Sequence, residues 1–165
     1  MDAAAFHFRE VVEPNADEFL DLKNLGSVRH GFNAAIALAH MVEHFFEARK
    51  DPAGRCRGHA RSEGLRRELY QICPDLELLV DVCNAAKHAR LEVRNGKPPR
   101  PLDGAQDLTA QPLFANSALP ANDALTPANA GADFKVVVVS FNDGRTGRPL
   151  HGAVANVLQM WRGLV

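Results

Sequence analysis

The chain has 165 residues, 46% of them apolar and 24% charged, with ten prolines, three cysteines and a formal net charge of -1 from nineteen Lys and Arg against twenty Asp and Glu. That composition excludes a disordered tail, a collagen-like fibre and a disulfide scaffold. It also leaves no overall field to draw in nucleic acid or an anionic membrane, so any such partner must be met by a local patch. The length suits one domain, residues 1–165, at one domain per roughly 100–200 residues. Residues 1–10 include Asp2, His7, Arg9 and Glu10 and lack the apolar run of a signal peptide, and no stretch reaches the roughly 18 apolar residues of a membrane span. The expectation is a soluble cytoplasmic protein without a membrane partner. Cys56, Cys73 and Cys83 show no Cys-x-x-Cys spacing, so they read as reduced thiols, Cys73 and Cys83 as small core residues.

Asn15 followed by Glu18 has capping-box spacing and predicts a short helix over 16–24. Gly26 suits a left-handed cap and Ser27 an N-cap. The longest helical pattern follows, with Val28, Phe32, Ala35, Ala39, Val42 and Phe46 at spacings of three and four, ending near Lys50. Between Arg55 and Arg67 lies the one concentration of positive charge, with Arg55, Arg57, His59, Arg61, Arg66 and Arg67, running into a helix that carries Leu65, Leu69 and Ile72. Pro74 suits the first turn of a helix over 75–91. Residues 97–132 contain six of the ten prolines and no helical period, the signature of a long functional or partly disordered loop, within which 113–117 has the look of a short strand. The β-branched run 134–141 is the clearest strand, closed by Asn142-Asp143-Gly144. Its partner is open among residues 6–12, the Leu113 region and a second subunit. Pro149 opens a last helix in which Val154, Val157, Leu158, Trp161 and Leu164 share one side, with Trp161 as a core anchor.

The helix over 75–91 carries Glu77, Asp81, Asn84 and His88 in an arc of roughly 60° with apolar flanks. This narrow polar seam either shows one edge to water or lines a cleft or subunit interface. On the long helix Arg29, Asn33, His40, His44 and Glu47 share a polar face, whereas Glu43 projects beside Ile36 and Phe32 on the apolar side. A carboxylate there needs a cation or donor, with Lys87, His88 and Arg90 as candidates if the two helices pack antiparallel. His40-Met41-Val42-Glu43-His44 has the His-x-x-Glu-His spacing of inverted zinc proteases, in a chain too short for them and without a recognisable distant carboxylate ligand. A looser metal site of His40, His44 and His88, with Glu43 as ligand or base, is the enzyme alternative.

Cys83-Asn84-Ala85-Ala86-Lys87-His88, late in a helical chain, resembles the signature of HEPN domains, helical-bundle proteins of bacterial toxin, defence and RNA-processing systems. In that family an Arg, a polar residue, three further residues and a His form the motif. Two protomers bring their motifs together to cut RNA, the His in acid/base work and the Arg on the phosphate. Asn84 and His88 match, while Cys83 stands where the family carries Arg, so cleavage would need Arg90 or an Arg of the 55–67 stretch as substitute. The resemblance covers residues 16–91 at most, while the layout of an Asn-x-x-Lys-His helix, a Pro-rich middle and a Val-rich strand before a Trp-bearing helix is similar to uncharacterised bacterial or phage-associated proteins.

The sequence pattern predicts a mainly α fold with a long Pro-rich loop, a small β element at 134–141 and a C-terminal helix, and the resemblance implies that its helical core, about residues 16–91, is a four-helix, up-down HEPN-like bundle. The function it implies is that of a homodimeric, non-enzymatic or degenerate HEPN-like protein, binding RNA in a toxin–antitoxin or defence context, with no cofactor. Its site would hold Asp81, Asn84, His88 and Glu43, beside a basic surface of Arg55, Arg57, Arg61, Arg66, Arg67, Lys87 and Arg90. A plain structural or interaction protein is the remaining alternative.

Overall fold

A computed structural model of the chain describes residues 2–87, 102–112 and 135–165. It is mainly helical, with a small antiparallel sheet and a C-terminal helix. No helix among the described residues is long and apolar enough to cross a membrane.

Helical structure begins well before residue 16. Helix α1 (Ala3–His7) is capped by Asp2, whose Oδ1 accepts from the Ala5 amide at 2.7 Å; it continues through a π-helical segment (Phe8–Val12) into α2 (Glu13–Leu20). Asn15 is therefore not an N-cap: it donates to the Val11 carbonyl at 2.8 Å from inside the helix. Residues 6–12, one of the three places considered for a partner strand, are likewise helical. The reason lies at Pro14, which lacks an N–H and whose ring crowds the carbonyl four residues back, so it ordinarily ends a helix. Here the preceding turn is widened, with the Glu13 amide reaching back to the Phe8 carbonyl, and the chain carries on. Ala4, Phe8, Val12, Ala16 and Phe19 form one buried stripe along this helical run.

The long helix, α3 (Val28–Ala48), starts where Ser27 accepts from the His30 amide. Its small residues Gly31, Ala34 and Ala35 let neighbours approach; a Cβ on Gly31 would lie 2.9 Å from the Leu150 side chain. A tight two-residue turn follows, in which Cys56 and His59 exchange backbone hydrogen bonds of 3.0 and 2.9 Å around Arg57 and Gly58, both at positive φ. Then come α4 (Ser62–Ile72) and α5 (Asp75–Lys87), the latter expected to reach residue 91, of which 88–91 lie outside the described residues.

The strand run is β2 (Lys135–Val139), and its partners are β1 (Leu108–Pro112) on one side and β3 (Arg148–Pro149) on the other, both antiparallel. Leu108 pairs with Val139 and Val138 with Pro149. The partner thus sits inside the stretch read as loop, just before the strand expected at 113–117, which is outside the described residues. Leu102 and Leu108 of that stretch belong to the core, so its proline content hid an ordered piece. Val136, Val137 and Val139 are all buried, which explains a continuous apolar run rather than an alternating one. The sheet meets the helices where the Val137 amide donates to the Leu25 carbonyl at 2.7 Å, beside Gly26, where a Cβ would lie 2.8 Å from that of Lys135.

Helix α6 (Leu150–Leu164) closes the fold, and the core it completes extends beyond residues 16–91. It packs on α2, α3 and α5, and Trp161 is fully buried, its Nε1 donating to the Leu38 carbonyl at 3.2 Å. The core is one cluster of buried side chains from Ala4 to Trp161, including Cys56, Cys73 and Cys83's neighbours Val82 and Ala85.

Candidate functional site

Helices α3 and α5 pack side by side with α4 across one end, and between them opens a cavity of about 340 Å³. Its wall from α3 carries His40, Glu43 and His44; α4 contributes Arg66; α5 contributes Cys83, Asn84 and Lys87. The sequence seam therefore reaches the cavity through Asn84. Asp81 is half-buried and does not line it, and Glu77 is exposed. His88 and Arg90 lie outside the described residues.

Glu43 is on the apolar side of α3 as its spacing requires, and among the described residues its cation comes from α4, not from Lys87 of α5. Arg66 of α4 donates to Glu43 Oε1 in a close ion pair. The expected candidates were on the helix that packs most intimately with α3, whereas α4 crosses at the level of Glu43 and offers a longer side chain with a planar fork. Neither partner is saturated: Glu43 Oε2 and Arg66 Nε are buried without a hydrogen-bond partner among the described residues.

Lys87 Nζ lies 2.6 Å from His40 Nε2 and Cys83 Sγ lies 3.8 Å from the same nitrogen. An ammonium can only donate, so this ring nitrogen accepts and His40 is the neutral imidazole with its proton on Nδ1. Burial, and then the Lys87 ammonium, hold His40 below the usual imidazole value. Burial pushes the Cys83 thiol up, more than Lys87 pulls it down, so it is a protonated core thiol and not a nucleophile. Tyr70 of α4, half-buried, is pushed up by burial to about 12 and stays a neutral phenol. Among the described residues the cavity thus presents two cations, one carboxylate, two imidazoles and an amide, which is equipment for holding an oxyanion.

The basic stretch is not one free surface. Arg57 pairs with Glu68 at 2.5 Å, His59 with the other Glu68 oxygen at 2.9 Å, and Arg66 turns into the cavity; Arg55, Arg61 and Arg67 are exposed. On the far side of His40 and His44 lies a second cavity of about 250 Å³. There His7 stacks on His44 with ring centroids 3.5 Å apart and planes 19° apart. No signal in the sequence linked His7 to α3, whereas Asn33, His40 and His44 are legible together from their shared polar face. Among the described residues no three His, Cys, Asp or Glu side chains are grouped to hold a metal ion, and the third member of the set His40, His44 and His88 is outside them.

No protein-family model, curated protein or solved structure matches the chain, so its residues alone carry the functional reading.

Proposed function

We propose that the protein is a HEPN-like helical protein that binds RNA as a homodimer without cutting it, in a toxin–antitoxin or defence setting, and that the α3–α4–α5 cavity takes a backbone phosphate. The observation that carries this reading is the convergence of Arg66 and Lys87 on the cavity that Asn84 lines. The resemblance places Asn84 at the polar position of the motif and leaves Cys83 where an Arg belongs. Arg66 comes from the stretch from which a substitute was expected, and with Lys87 it supplies the cavity's two cations among the described residues. The same position explains why cleavage is not expected: Glu43 already occupies one edge of the guanidinium, and the adjoining carboxylate repels a phosphate that gathers charge. In this reading α2, α3, α4 and α5 are the four-helix unit, with the sheet and α6 added to it.

Fluorescence anisotropy with a short single-stranded RNA tests it. Binding should weaken as salt rises, and Arg66→Ala should weaken it about tenfold, Lys87→Ala a few fold, because each removes a phosphate-facing cation. Absence of binding at low salt, or Arg66→Ala binding like the parent, would overturn the reading. RNA cleavage abolished by His88→Ala would overturn its non-cutting part, and a solution mass of one 18.0 kDa chain its dimer.

A further inference from the structure

The second cavity differs in chemistry from the first. Val11 of the π segment and Ile36 and Ala37 of α3 give it an apolar floor, and Asn15 and Asn33 set two amides at its walls. The His7–His44 stack adds a flat aromatic flank. Among the described residues that line it, none is Lys, Arg, Asp or Glu. Burial, with His44 and His40 nearby, holds His7 below the usual imidazole value, so that ring is neutral at neutral pH. Asn15 spends an N–H on the Val11 carbonyl, which leaves its side-chain oxygen as an acceptor, while Asn33 is exposed and carries both donor and acceptor. At about 250 Å³ the space is smaller than the roughly 300–1,000 Å³ of pockets for drug-sized ligands. The widened turn that exposes Val11 is of the kind that recurs at functional sites.

An uncharged, flat ligand with apolar faces and a polar edge matches this lining. We propose that the cavity between the π segment, α2 and α3 holds one nucleobase of the RNA strand whose phosphate lies in the neighbouring cleft, an assignment that rests on the RNA reading above. The two cavities share His40 and His44 in their walls, so a phosphate on one side of these histidines and its base on the other belong to one nucleotide. The base stacks against the imidazole flank and Val11 and Ile36, and the Asn33 amide meets its hydrogen-bonding edge, the way unstacked RNA bases are generally read.

Nucleosides, which carry a base and no phosphate, separate this site from the cleft. Titrating isotope-labelled protein with adenosine, guanosine, cytidine and uridine should shift the Asn15 and Asn33 side-chain amide signals and leave those of Arg66 and Lys87 in place. Asn33→Ala, at an exposed position that tolerates it, should abolish the shift, weaken a short single-stranded RNA about tenfold and leave an abasic strand of the same length unchanged. No shift with any nucleoside, or an abasic strand that binds as tightly as the intact one while Arg66→Ala still weakens both, overturns the base site and leaves the RNA reading standing. Nucleosides that bind while no oligonucleotide does overturn the RNA reading and leave the base site.

Discussion

Of the arginine–carboxylate pairs that join elements of this fold, two are finished differently. At the start of α5 the Asp75 side chain is only 9% exposed; Arg148 of β3 meets its Oδ1 at 2.6 Å and Asn156 of α6 donates to its Oδ2 at 2.7 Å. In the cleft the Glu43 side chain is 42% exposed, one oxygen takes Arg66, and the other has no partner among the described residues. A buried carboxylate must have both oxygens satisfied or it costs free energy, so Asp75 is wired to two neighbours and serves cohesion. Glu43 and Arg66 line an open cavity with one oxygen and one nitrogen left unpaired among the described residues, so this pair is not closed by its neighbours as Asp75 is.

Asp75→Ala should therefore be the largest loss. It leaves Arg148 and Asn156 without their acceptor; because Arg148 stays half exposed and solvated, the cost is ~2 kcal/mol rather than the roughly 3–5 kcal/mol of a fully buried orphan charge. Urea denaturation measures it, with Asp75→Asn expected to lose about half as much because one contact survives. Arg66→Ala, by contrast, should cost only about 1 kcal/mol, because this pair is half-buried and Glu43 stays in reach of water, while carrying the loss of RNA binding. If it destabilised the chain as much as Asp75→Ala, the two pairs would not differ in kind. Glu43→Gln sharpens the same contrast from the other side: removing the competing charge while keeping a hydrogen-bonding group should tighten RNA binding about threefold at low salt.

Acid should act on a third group of side chains. His151 is buried on α6 with neither ring nitrogen hydrogen-bonded among the described residues, and burial holds it below the usual imidazole value, as it does His7 and His40. The unfolded chain then takes up these protons first, so their contribution to stability is complete above about pH 6.5 and is lost as pH falls below it. Urea midpoints at about pH 7.5 and about pH 5.5 should differ in that sense, and His151→Leu should reduce the difference by removing one of the three groups. The smallest effect is on thiol chemistry. Burial raises Cys56, Cys73 and Cys83, so a thiol reagent should label none of them at a measurable rate until the protein is unfolded.

Much of the helical framework was legible because it is written in local periodicity. The caps and apolar stripes of α3 and α6 and the core role of Trp161 follow from spacings within a few turns, and Glu43 was marked as needing a partner by its neighbours Phe32 and Ile36. Two signals misled. Asn15 with Glu18 read as the start of a helix, because the π turn that carries the chain through Pro14 has no distinct sequence pattern. The prolines around 98–112 read as loop, because what makes Leu108–Pro112 a strand is the Val-rich run more than twenty residues later, a pairing no local window contains. His7 carried no signal at all until α1 was laid along α3.

By itself the amino-acid sequence determined which segments prefer helix or strand, that a Val-rich strand needed a partner, and that a carboxylate on the apolar side of α3 needed a cation. Only the tertiary structure decided that the partner strand is β1, that the cation is Arg66, and that two cavities share His40 and His44. Helix and strand preference and burial demand are short-range properties of side chains and backbone. Which cation reaches Glu43, and which imidazole stacks on His44, depends on how α1, α4 and α5 cross α3, and that is set by the packing of the whole core.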